Sequence, residues 1–441
     1  MRDLGKMFGG GQSTLRQFGI LIALIVIIVV FQILTDGRTL QPGNVINILN
    51  GNTYVLILAI GMVMVIIAGH IDLSVGSVAA FTGIVVAIAL NRWQWPVPAA
   101  ILLGLVVGLV IGAWQGWWVA YVGVPAFIVT LAGMLIFRGA NQFVGNSTTE
   151  PVPDAFTWLG GGYIPDFGGG PFSNGTLVLG GIVALALIVQ EVLLRRRQKR
   201  IGAERAPVWV SALKLVLLVA VVVAATLLFA SGRPGTSFPI PGIIVAVLVI
   251  VYSFVTGNTV IGRHIYAVGG NWHAAELSGV KIKRVNFFVM MNMSLLAALA
   301  GMVFVSRSIA SGPGDGQGWE LDAIAAVFIG GAAVSGGIGT VIGSIVGALI
   351  IAVLNNGLQL LGVSSDRVQI IKGFVLLIAV GIDVLSKRSG GRSLIARFRR
   401  PGGDLGPEPS PATAAIINRP DIAPGASGAE ASSRPPSTTP N

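Results

Sequence analysis

The feature that most constrains this chain is the recurrence, from position 18 to position 385, of long apolar runs separated by short polar breaks. A helix needs about 20 largely apolar residues to cross ~30 Å of hydrocarbon. Scanning on that length predicts about twelve spans, at 18–34, 53–68, 71–90, 97–121, 125–144, 177–194, 208–229, 240–255, 287–307, 321–335, 341–361 and 368–385. Inside lipid every peptide group must find a partner within the protein, which favours helices over open sheet. The predicted fold class is an all-α polytopic membrane protein of about 12 transmembrane helices, with both termini cytoplasmic and broken or re-entrant segments near 69–77 and 312–340. Composition agrees, because 54% hydrophobic against 11% charged residues and a mean hydropathy of +0.82 leave too little polar surface for a soluble chain.

A formal charge of +11 raises nucleic-acid binding as a function class, and the placement of the cations argues against it. Arg195, Arg196, Arg197, Lys199, Arg200 and Arg205 lie between two apolar runs, and Lys281, Lys283 and Arg284 between two more, as cytoplasmic loops require. The longest break, 145–176, holds Glu150, Asp154 and Asp166 with no Lys or Arg, which places it outside. The resulting division is a cytoplasmic N-terminus at 1–17, a transmembrane domain at 18–386 and a cytoplasmic tail at 387–441. Within the domain, a periplasmic loop covers 145–176 and cytoplasmic loops cover 195–207 and 256–286. From position 401 the tail turns to Pro, Ala, Ser, Gly and Thr, a composition predicted to stay disordered. Arg2, Lys6 and Arg16 precede the first apolar run and no small-residue cleavage site follows it, so the first helix is read as retained.

Several chemistries have no residues to carry them. No Gly-x-x-x-x-Gly-Lys-Ser/Thr occurs, so the chain has no P-loop, and any ATP is used by a partner subunit. No paired catalytic carboxylates, nucleophile elbow or metal-spaced His cluster is found, and cysteine is absent. The chain is therefore read as not an enzyme, with no ATPase site of its own, and as binding no cofactor and no metal.

Polar groups inside apolar runs cost several kcal/mol unless a protein-lined cavity receives them, so they are the candidate path residues. Asp72 and Ser74 interrupt the second and third runs; Asp72 suits substrate contact and equally suits capping the helix that follows. Asp322 follows the Gly-rich stretch 312–318, where a discontinuous helix or a tight small-residue surface would each need those glycines. Asn355, Asn356 and Gln359 offer amides that donate and accept, the chemistry of sugar hydroxyls and equally of interhelical hydrogen bonds. Trp114 shares a face with Trp118, as a ring-stacking site or an interfacial aromatic belt would.

Three stretches carry a family resemblance: 69–77 (GHIDLSVGS), 263–279 (RHIYAVGGNWHAAELSG) and 320–331 (ELDAIAAVFIGG). Together they resemble the permease subunits of the ribose and xylose class of ATP-binding-cassette sugar importers, from the first helix to about Lys387. Stretches 112–121 (GAWQGWWVAY) and 127–135 (FIVTLAGML) are most similar to the xylose-type members, as is the extra helical pair on either side of 195–205. Trp272 and His273 depart from the small or acidic pair usual in this class after Gly270 and Asn271. The resemblance implies inner-membrane import of a monosaccharide, D-xylose first, with ribose or several monosaccharides as the alternative. It also implies a cytoplasmic ATPase, an extracytoplasmic sugar-binding protein and a second permease copy, all set in membrane lipid. By the same resemblance 262–279 is the coupling element, with Arg263, Gly269, Gly270, Asn271, Ala275, Glu276 and Gly279 as its residues.

The rival is a secondary sugar transporter working alone, which also favours twelve spans with both termini inside. It offers no role for the long inner segment between the eighth and ninth spans. An intramembrane enzyme acting on lipid-linked sugar would cluster acids or His at one depth, and Asp72, Asp322 and Asp383 are scattered in sequence.

Overall fold

The computed structural model of the chain describes residues 12–200, 208–232 and 235–388. The predicted N-terminal segment 1–17, the loop 195–207 and the tail 387–441 fall wholly or partly outside the described residues. Long helices dominate. The first five are α1 (Gln12–Leu34), α2 (Pro42–Ile67), α3 (Val75–Asn91), α4 (Val97–Trp117, prolonged by a π turn at Trp118–Val122) and α5 (Ala126–Val144). The segment read as a loop at 145–176 carries β1 (Glu150–Pro151), the one-turn α6 (Trp158–Gly161) and β2 (Tyr163–Pro165). Then come α7 (Asn174–Arg200), α8 (Val208–Ala230), β3 (Thr236–Pro239) and α9 (Ile240–Asn258). Two short helices, α10 (Val260–Gly270) and α11 (Trp272–Leu277), precede α12 (Ile282–Ser308). The chain closes with β4 (Ala310–Ser311), α13 (Trp319–Ile329), α14 (Val341–Leu360) and α15 (Ser365–Arg388).

Eight helices among the described residues are long and apolar enough to cross a membrane, and α1 and α3 add shorter apolar segments. The all-α membrane fold class is therefore borne out, while among the described residues eight full-length spans stand where about twelve are predicted. The tenth predicted span, 321–335, is instead the 11-residue α13, which rises only about 16 Å. Gly318 before it and Gly331 behind it have φ of +76° and +91°, a conformation that ends a helix and suits glycine. The third span begins at Val75 rather than 71, because Gly69 turns the chain at φ +86° and the Asp72 carboxylate accepts from the Ser74 amide at 2.8 Å.

Two antiparallel strand pairs gather what was read as outside. β1 pairs with β4 (Glu150↔Ser311) and β2 pairs with β3 (Tyr163↔Pro239). Glu150 anchors the first pair by accepting from Asn91 Nδ2 at 2.7 Å and Arg92 Nε at 2.9 Å. β3 leads into α9 and the 259–281 segment follows it, so the two lie at opposite ends of that helix; on the charge distribution the strand end is termed outer and the other inner.

The core is α2 and α12 with α3, α4, α13 and α14 around them, and small residues set the spacing. Gly104, Gly108, Gly112 and Gly116 recur every fourth residue on α4, and each abuts α12; a Cβ on Gly112 would sit 2.6 Å from Met291 Cα. Where lipid removes the hydrophobic drive between helices, such close backbone approach is what holds them together. α7 and α8 lie against each other, with Gly180 fitted to Thr226, and their apolar surfaces are exposed.

Candidate translocation path and docking loop

At the outer end α2 presents Asn44, Asn47, Gly51 and Tyr54 along one helical face. The last turns of α14 bring Asn355, Asn356 and Gln359 opposite, and Arg307 enters from the end of α12. Together they enclose a cavity of about 380 Å³, within the size range of small-molecule sites. Asn44 joins Asn356 near its mouth, and deeper in Asn355 Nδ2 donates to Asn52 Oδ1 at 3.4 Å.

The floor is aromatic and belongs partly to the broken helix. The Tyr54 ring lies 4.2 Å from that of Trp319, which lies 4.6 Å from Phe304. One turn into α13, buried Asp322 accepts from Lys372 Nζ of α15 at 2.8 and 2.9 Å and lies beside Asn355. Glu320 and Asp322 occupy the first turn of α13, where the helix dipole favours negative charge. The lining thus offers amides, a phenol and one guanidinium, and no carboxylate. Amides and phenols both donate and accept, which matches a neutral, hydroxyl-rich ligand rather than a cation.

Asp322, Asn355, Asn356 and Gln359 are therefore brought together at or just beneath one cavity. Asp72 and Ser74 are not part of it. Both are fully enclosed, where Asp72 Oδ1 takes the Ser74 hydroxyl at 2.6 Å and Gln115 Nε2 donates to Ser74 Oγ at 2.9 Å. This network ties the 68–74 turn to α4. Trp114 stands apart as well, half-exposed and edge-on to Phe137. Sequence reasoning missed Asn44, Asn47, Asn52, Tyr54, Arg307 and Lys372. Asn44, Asn47, Asn50 and Asn52 crowd one apolar helix, three of them on one cavity, and that crowding was the available signal.

At the inner end the 259–281 segment is structured. Thr259 caps α10 through Oγ1, accepting from the Gly262 amide at 3.2 Å, and Asn271 caps α11 through Oδ1, accepting from the Ala274 amide at 3.0 Å. Arg263, Gly270, Asn271, Glu276 and Gly279 are exposed, Ala275 is buried, and Gly269 turns inward. Trp272 stacks on His273, and Leu277 is 91% exposed.

The family described as "Branched-chain amino acid transport system / permease component" matches residues 44–380. The xylose transport system permease protein of Haemophilus influenzae is 40% identical over 383 residues, covering 87% of this chain and 100% of the relative. The Escherichia coli K12 protein of the same name is 39% identical, over 86% of this chain and 95% of the relative. The ribose import permease protein of Escherichia coli K12 is 34% identical, over 82% of this chain and 92% of the relative. No solved structure matches the chain.

Proposed function

We propose that this chain, which belongs to the branched-chain amino acid transport system / permease component family, is the membrane-spanning subunit of an ATP-binding-cassette importer for D-xylose. The observation that carries the reading is 40% identity over the whole length of a xylose permease. Ribose is the second reading, on 34% identity to a ribose permease. The chain is a multi-pass protein of the inner membrane.

Work is divided among partners. An extracytoplasmic binding protein delivers sugar at the outer end, and a cytoplasmic ATPase seats on α10 and α11, where Trp272 and Leu277 supply the apolar contact. A second copy of the chain completes the path. Asn355, Asn356 and Gln359 line the outer cavity for the arriving sugar, and Asp322 supports it from below. Binding there is weak, because a path that held sugar tightly would slow its release.

The test is reconstitution in proteoliposomes with the binding protein outside and the ATPase inside, supplied in turn with labelled D-xylose and D-ribose. Uptake requires ATP and all three components, with xylose preferred. Uphill uptake by the chain alone contradicts the reading, and a preference for ribose replaces the substrate.

A further inference from the structure

The inner docking helices and the floor of the outer cavity are joined by one continuous element. At the inner end Gly69, Gly269, Gly336 and Gly337 meet backbone to backbone. The Gly337 amide donates to Ile67 O at 2.9 Å, and a Cβ on Gly337 would lie 2.8 Å from Gly270 Cα. Tyr266 of α10 donates its hydroxyl to Gly339 O at 2.7 Å. Gly336 and Gly337 have φ of +78° and +72°, so this junction has no room for side chains and a backbone shape that suits glycine.

From the junction the chain leads directly into α13. Gly330 and Gly347 let α13 lie against the α14 backbone, with Gly347 seated on Ala326 O. The far end of α13 then carries Trp319, its ring tilted against that of cavity-lining Tyr54, and Asp322, held by Lys372. Packed backbone deforms little, so a displacement at one end reaches the other.

We propose that α13 with the 330–340 segment is a strut carrying movement of α10 and α11 to the cavity floor, with the Tyr266–Gly339 contact as its inner joint and the Lys372–Asp322 pair as its outer one. Tyr266, Gly337 and Lys372 are positioning residues, acting on the sugar through the strut. The proposal rests on the importer reading above.

The experiment measures D-xylose uptake and ATP hydrolysis in the same proteoliposomes for Tyr266→Phe, Gly337→Ala, Lys372→Met and the paired D322N/K372M, with co-purification of the ATPase alongside. Gly181→Ala on α7 is the control, because a Cβ there meets nothing within 4 Å. The expected result is hydrolysis and co-purification close to wild type, with sugar moved per ATP falling about fivefold or more in Tyr266→Phe, the lower end of ordinary coupling free energies. Gly337→Ala and Lys372→Met fall further, and Gly181→Ala is unchanged. An unchanged ratio in Tyr266→Phe and in the paired variant overturns the strut, as does a parallel loss of uptake and hydrolysis. No ATP-driven uptake by the wild type overturns the importer reading and the strut with it, whereas a working wild type with indifferent variants overturns the strut alone.

Discussion

Asn44 and Asn356, 312 positions apart, exchange both amide hydrogen bonds: Asn44 Nδ2 donates to Asn356 Oδ1 at 2.8 Å, and Asn356 Nδ2 donates back to Asn44 Oδ1 at 2.9 Å. The pair clamps the first turn of α2 to the last turns of α14 at the cavity mouth. Interhelical bonds of this kind are worth about 1 kcal/mol in a membrane protein. Asn356→Ala is expected to lower the melting temperature of the solubilised chain by a few degrees. N44A/N356A should cost little more than either change alone, because one substitution already breaks both bonds.

Gln359 lines the same cavity and is exposed to it. Losing one hydrogen bond to a sugar hydroxyl costs about 1 kcal/mol net. Gln359→Leu should therefore slow sugar uptake by roughly fivefold while the ATPase still binds, as read from paired uptake and co-purification measurements.

Leu277 and Trp272 are exposed apolar groups at the inner end. Truncating a central interface anchor typically costs 2 kcal/mol or more, about 30-fold in affinity. Leu277→Ser should weaken ATPase binding by about that factor and leave the fold intact, measured by microscale titration of the ATPase against the solubilised chain.

Glu150 gives the outer end a pH dependence. Burial raises its carboxyl pKa, and the bonds from Arg92 and Asn91 outweigh that and hold it below the ordinary value. A depressed folded value means that the stabilisation is complete above the unfolded carboxylate range, near pH 4.3, and is lost as pH falls through the folded value. Thermal stability should fall below about pH 4, and Glu150→Gln should remove that part of the fall.

Much of the architecture was legible because lipid permits few solutions. Apolar runs located the long helices, and basic clusters at 195–200 and 281–284 supply the expected direction. The break at α13 was visible in its glycines, yet its length was not, since periodicity cannot tell a half-helix from a span when the flanking chain is equally apolar. Gly104, Gly108, Gly112 and Gly116 spelled out the α4 contact with α12 in plain spacing. The site was harder to read. Asn355, Asn356 and Gln359 were recognisable as amides on one helix, but their partners Asn44, Asn47 and Tyr54 come from α2, and Arg307 from α12. Asp72, an acid between apolar runs, suited substrate contact and helix capping equally. In the structure it braces a turn through Ser74 and Gln115.

The central claim is that an open cavity faces outward while the helix meant for the ATPase faces inward. The chain has no cysteine, so a single introduced thiol reports its own side of the membrane. Asn47→Cys and Leu277→Cys should be treated in intact cells with a membrane-impermeant maleimide. The account predicts that Asn47→Cys labels in intact cells and that Leu277→Cys labels only after permeabilisation. Labelling of Leu277→Cys from outside, or of Asn47→Cys only from within, would contradict it.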